Sequence, residues 1–127
     1  MLLGQPGDFF IAMNIEDARI YCLGKTNATE DFPFDETTLA FRVENKIFAI
    51  VDLERTEWFC VKCDADYAID LRDKYEQIKP AWHMNKRYWN QLDIARIDDS
   101  LFYSLVDHSY CEVLKKLPKK IRVKYGM

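Results

Sequence analysis

Glycine is scarce in this chain. There are 4 in 127 residues, and one of them, Gly126, lies next to the C-terminus. A backbone loop that cradles phosphates needs closely spaced glycines, so a nucleotide-binding loop of that kind is not expected. Histidine is scarcer, with only His83 and His108, far apart in sequence. No apolar run approaches the ~20 residues that a membrane helix needs. Residues 1–12 carry no basic stretch and contain Gly4, Pro6, Gly7 and Asp8, so they do not read as a signal peptide. Met13 directly precedes a helix start, and residues 1–12 are therefore expected to be an N-terminal extension, with 13–127 as a single domain. The expected location is cytoplasmic.

Cysteine is present four times, as Cys22, Cys60, Cys63 and Cys111. Without a secretory signal, reduced and buried thiols are expected rather than a disulfide framework. Cys60 and Cys63 have C-x-x-C spacing, which can serve redox chemistry or zinc in a helix-start or knuckle context. Here they fall on a predicted strand, where residues three apart point to opposite faces. The two sulfurs should diverge, so neither a metal nor another cofactor is expected.

The formal charge is −3, from 18 Lys and Arg against 21 Asp and Glu. It is unevenly spread. After Glu112 come Lys115, Lys116, Lys119, Lys120, Arg122 and Lys124 with no acid, and the rest of the chain is correspondingly acidic. Such asymmetry can mark a contact with a polyanion. It also fits a helix C-terminus whose lysines complement the macrodipole, followed by a solvated tail.

Periodicity gives the elements. Asn14 is a helix N-cap, with Ile15, Ala18, Cys22 and Leu23 on one face and Gly24 as the stop. Residues 29–34 contain Pro33, which limits them to an edge strand or connector. Leu39, Phe41 and Val43 alternate with Thr38, Ala40 and Arg42, and Glu44-Asn45 reads as a tight turn into a second strand over 46–53. A third strand covers 58–63. Asp64 caps a helix over 64–77 whose face is Ala65, Ala68, Ile69 and Tyr75. Short strands are predicted near 81–84 and 89–94. A last helix over 99–117, started by Asp98 or Asp99, carries the stripe Phe102, Val106, Tyr110, Val113 and Leu117 and stops at Pro118. The order α-β(3–4)-α-β(2)-α predicts an α+β two-layer sandwich, with an antiparallel sheet and helices on one face.

The run His83-Met84-Asn85-Lys86-Arg87-Tyr88-Trp89-Asn90 combines an imidazole, amides, two cations and two large aromatics. Such polar side chains are costly to bury unpaired, so the run reads as a turn with Lys86 and Arg87 outward and Trp89 partly buried as its anchor. Trp82, Tyr88 and Trp89 either stack on bases beside these cations or fill the core. Asp107-His108-Ser109 contains the residue types of a hydrolytic triad. Consecutive helical residues point apart, however, so no relay among them and no enzyme is expected.

Together, Phe32-Pro33-Phe34, Leu39-x-Phe41-x-Val43, Lys46-x-Phe48-Ala49, Lys62-Cys63-Asp64, His83-Met84-Asn85-Lys86-x-x-Trp89, Asp107-His108-Ser109-Tyr110 and Leu117-Pro118-Lys119-Lys120 resemble the MmcQ/YjbR-like family of small bacterial proteins. The resemblance covers about residues 14–122. It implies a CyaY-like fold and a non-enzymatic DNA-binding role through a "double wing". On this chain, double-stranded DNA would be held by phosphate contacts from Asn85, Lys86, Arg87, Lys119 and Lys120. The alternative is a module that binds a protein or small ligand in a groove around His83 and Trp89. Nothing fixes an oligomeric state, although a monomer is slightly favoured over an assembly.

Overall fold

The computed structural model describes residues 13–127, so the expected extension at 1–12 lies outside the described residues. Helix α1 (Ile15–Leu23) is followed by strands β1 (Thr29–Asp31), β2 (Thr38–Val43), β3 (Lys46–Asp52) and β4 (Trp58–Lys62). Helix α2 (Ala65–Lys74), strands β5 (Ile78–Pro80) and β6 (Trp89–Asp93) and helix α3 (Asp99–Lys115) come next. A short helix α4 (Lys119–Arg122) and a 3-10 turn at Val123–Tyr125 close the chain. The strands form one antiparallel sheet in the order β1-β2-β3-β4-β6-β5. This is an α+β fold with its helices on one face of the sheet.

Local chemistry sets the helix starts. The side chains of Asn14, Asp64 and Asp98 accept from the backbone N–H groups of Asp17, Tyr67 and Leu101, so each satisfies a donor with no partner inside its helix. The turn between β2 and β3 has both Glu44 and Asn45 at positive φ (49° and 67°), the geometry that matches the twist of a two-residue hairpin.

One face of the sheet is the core. Leu39, Phe41, Val43, Val51, Phe59, Val61 and Leu92 point into it and meet Ala18 and Cys22 of α1, Ala68 and Leu71 of α2, and the α3 stripe. Phe59 packs on Phe41 at 5.9 Å between ring centroids and edge-on to Phe102 at 5.3 Å. Burial of each such ring contributes about 1.5–3 kcal/mol. Register slips between Phe41 and Arg42, which pair with Ala49 and Ile47 and leave Phe48 as the extra residue. This bulge lets both Phe48 and Ala49 join the core, with Phe48 edge-on to Tyr110 at 5.4 Å.

Three expectations need correction. The strand expected near 81–84 lies at 78–80 instead, because Ile78 is the apolar residue that pairs with Leu92. Residues 81–88 form the loop between β5 and β6. The second helix ends at Lys74, and Leu71 rather than Ile69 completes its buried face; Ile69 is 52% exposed. The tail is not simply solvated. Ile121 and Tyr125 pack against the core, and the Tyr125 hydroxyl donates to Glu44 at 2.5 Å and accepts from Asn27 at 3.0 Å.

Candidate nucleic-acid interface

The loop over 81–88 is held from below by a residue that sequence reasoning missed. Arg72, in the last turn of α2, donates through Nε to Asn90 Oδ1 at 2.6 Å and through Nη2 to the backbone carbonyls of Lys86 and Trp89. Asn90 is 1% exposed and donates in turn to the Ala68 carbonyl. The planar fork of arginine suits this task, since it meets three acceptors, one in the loop and two at the start of β6. The only sequence signal was a cation at the end of α2, which also reads as macrodipole compensation.

The turn above this clamp is built by Asn85. Its side chain accepts from the Arg87 N–H at 3.0 Å, and its carbonyl accepts from the Tyr88 N–H at 3.1 Å. Asn85, Lys86 and Arg87 are exposed, while Trp89 is half-buried. The Tyr88 carbonyl accepts from the Cys63 N–H at 2.7 Å, which fastens the turn to the end of β4.

Tyr88 then joins two basic segments. The Arg87 guanidinium lies 5.5 Å from its ring centroid, and the Lys116 ammonium 5.2 Å. Lys116 caps the C-terminus of α3, and Lys119 and Lys120 follow, exposed, at the start of α4. Six cations elsewhere are neutralised. Arg19, Lys25, Arg42, Arg55, Arg96 and Lys115 all lie in ion pairs, whereas among the described residues Lys86, Arg87, Lys116, Lys119 and Lys120 lie in none.

The sheet face away from the helices carries a second feature. A cleft of ≈ 480 Å³ has Ile50, Cys60 and Gln91 on its sheet side and Trp82, His83 and Met84 on its loop side, with Thr38, Asp52, Arg55 and Trp58 completing the lining. The Trp82 N–H donates to Gln91 Oε1 at 2.9 Å, and its ring, 66% exposed, stands edge-on to His83 at 5.2 Å. His83 has φ 67°, an uncommon conformation for a residue with a Cβ. His83 borders this cleft, but Trp89 is not among its lining residues; Trp58 and Trp82 are its indoles.

The Asp107–Tyr110 run is structural. Asp107 accepts from the Tyr21 hydroxyl and the Lys25 ammonium, both at 2.7 Å. His108 Nε2 accepts from the Asp64 N–H at 3.1 Å. Ser109 does not bond to its own helix; its hydroxyl accepts from the Lys62 N–H and donates to the Phe48 carbonyl. The Tyr110 hydroxyl donates to the Thr26 carbonyl. Four successive side chains thus fasten α3 to α1, α2 and the sheet, and none forms a relay with its neighbour.

The thiols diverge, although Cys63 lies one residue beyond the end of β4. Cys60 lines the open-face cleft and Cys63 is buried in the core. Burial pushes Cys60 up to about 11 and Cys63 up to about 12, so both are neutral thiols at physiological pH. Among the described residues no three His, Cys, Asp or Glu side chains are grouped to hold a metal ion. No helix among them is long and apolar enough to cross a membrane.

Comparison with known proteins places this geometry in a family. The YjbR family model matches residues 23–112. The uncharacterised protein YjbR of Escherichia coli K12 is 30% identical over 112 residues, covering 87% of this chain and 95% of that one. The uncharacterised protein YbdF of Escherichia coli O157:H7 is 28% identical over 91 residues, covering 70% and 75%. A Deinococcus radiodurans crystal structure with a DUF419 domain superposes with a TM-score of 0.83 at 27% identity, over 91% of this chain and 90% of that one. A Pseudomonas syringae structure has the same fold, with a TM-score of 0.66 at 23% identity, over 76% and 96%. By the match of its central 90 residues and its likeness to the Escherichia coli protein along most of both chains, this chain belongs to the YjbR family.

Proposed function

We propose that this protein binds double-stranded DNA by phosphate contacts along the basic edge made by Lys86, Arg87, Lys116, Lys119 and Lys120. The observation that carries this reading is the Tyr88 ring, which has Arg87 and Lys116 within 5.5 Å and so unites the loop turn with the end of α3. A charged edge of this kind supplies the counterion-release term that dominates non-specific affinity. The net charge of −3 does not oppose it, because the ion pairs that consume cations lie elsewhere. Asn85 supports the turn and, at its exposed tip, adds an amide within reach of sugar or phosphate oxygens.

The test is a fluorescence-anisotropy titration with two labelled duplexes of unrelated sequence. Wild type should bind both with similar affinity, because phosphate contacts carry no base information. Replacing Lys86 and Arg87 with alanine should weaken both about equally. No binding at low salt, or a loss confined to one sequence, would overturn the proposal.

A second reading rests on the ≈ 480 Å³ cleft, whose size is that of small-molecule sites and whose lining residues are half apolar and half polar. Its His83, Trp82 and Gln91 would position a small ligand, or a side chain of a protein partner. Amide and indole NMR shifts confined to these residues on ligand addition, with no response to duplex DNA, would favour it.

A further inference from the structure

Three lysines converge at a hollow that the basic edge leaves unassigned. Lys46 begins β3, Lys62 ends the antiparallel neighbour β4, and Lys116 caps α3. They line a hollow of ≈ 290 Å³ whose remaining walls are Ile47, Val113 and Leu117. No carboxylate lines it. Glu112, whose charge acts on Lys62, is 9% exposed and is held by the Lys115 ammonium at 2.6 Å. Among the described residues none of the three lysines lies in an ion pair.

We propose that Lys46, Lys62 and Lys116 form a binding site for a tetrahedral phosphate oxyanion, either a free phosphate or phosphate monoester or one phosphate of a nucleic-acid backbone. Three ammonium groups from three elements can each donate to a different oxygen of one anion, and lysine is a compact charge well suited to that role. Without an anion the arrangement is costly. Burial, then the like charges of Lys116 and Lys46, push the Lys62 ammonium below the ordinary lysine range, and the attraction of Glu112 only partly offsets them. The C-terminal dipole of α3 attracts Lys116, yet it amounts to only about half a charge. It does not account for two further lysines brought in on strands. The apolar wall of Ile47, Val113 and Leu117 limits solvent screening at the hollow and strengthens each charge–charge contact.

This site shares Lys116 with the basic edge but needs neither Lys86 nor Arg87, and its test separates the two. Inorganic phosphate is titrated at constant ionic strength, with chloride as the balancing salt, while thermal stability and backbone amide shifts are followed. Phosphate should raise Tm above the chloride control and move the amides of Lys46, Lys62 and Leu117. Lys62→Met keeps the aliphatic stem but removes the charge, and should weaken phosphate binding about tenfold, the loss of one charge-assisted hydrogen bond. In chloride alone the same variant should be no less stable than wild type, since it relieves repulsion. A short duplex added to the phosphate-bound protein then identifies the source. Displacement of phosphate marks the hollow as a backbone seat, and binding without displacement, or no DNA binding at all, marks it as a site for free phosphate or a monoester. A phosphate response equal to chloride, or one that Lys62→Met leaves intact, would overturn the proposal.

Discussion

The Lys116 ammonium lies 5.2 Å from the centroid of the Tyr88 ring. The contact spans from the end of the last long helix to the loop before the last strand, and Arg87 shares the same ring. A cation over an exposed aromatic face contributes about 0.5–1 kcal/mol. A double-mutant cycle of Tyr88→Leu and Lys116→Met, followed by urea unfolding, should therefore return a coupling of that size. Additive effects would show that the two segments are neighbours without being coupled.

Arg72 is the residue on which the turn depends. Arg72→Ala leaves Asn90 buried with an unmet acceptor and takes a donor from the Lys86 carbonyl, so it should lower stability by about 2–3 kcal/mol. Arg72→Lys keeps the charge but not the fork and should recover only part of this. Urea unfolding checks both variants, and a loss below about 0.5 kcal/mol for the alanine variant would place it with ordinary surface substitutions.

Most of the fold was legible because its elements carry strong local signals. The alternation from Leu39 to Val43, the stripe from Phe102 to Leu117 and the caps at Asn14, Asp64 and Asp98 each follow from side-chain periodicity or a single hydrogen bond. The misplaced strand shows the limit. Ala81–Met84 looked extended next to Trp89–Ile94, but Ile78 is the residue with a buried partner, and pairing across the sheet overrides local pattern. At the site, the outward turn of Asn85–Arg87 was readable from its polarity. Arg72, Lys46, Lys62 and Lys116 were not, because they meet the site only through contacts between elements distant in sequence.

His108 should make stability pH-dependent. Its Nε2 accepts from the Asp64 N–H, which only a neutral imidazole can do, and burial holds its pKa below the ordinary histidine value. A base with a lowered folded-state pKa contributes its full stability above the unfolded value of about 6.5 and loses it as pH falls through and below that value. Wild type should thus lose more stability than His108→Gln between pH 7.5 and pH 5, measured by urea unfolding at each pH. Parallel losses in the two proteins would contradict this.

The thiols should react in order of exposure. Cys111 is exposed, Cys60 half-buried, and Cys22 and Cys63 buried. Burial raises the pKa of each of the last three and so suppresses the reactive thiolate. An aromatic disulfide reagent at pH 8 should label one thiol rapidly, Cys60 slowly, and the remaining two only after unfolding. Release of three or more equivalents from native protein would contradict the packing around Cys22 and Cys63.

The salt dependence of duplex binding tests the central claim most directly. If Lys86, Arg87, Lys116, Lys119 and Lys120 each neutralise one phosphate, log Kd plotted against log salt should rise with a slope of about 4–5. Lys86→Ala with Arg87→Ala should lower that slope by about 2, one unit for each lost contact, while circular dichroism shows the fold intact. A wild type that fails to bind duplex at low salt, or a double variant that keeps the full slope, would contradict the assignment of this edge to the DNA backbone.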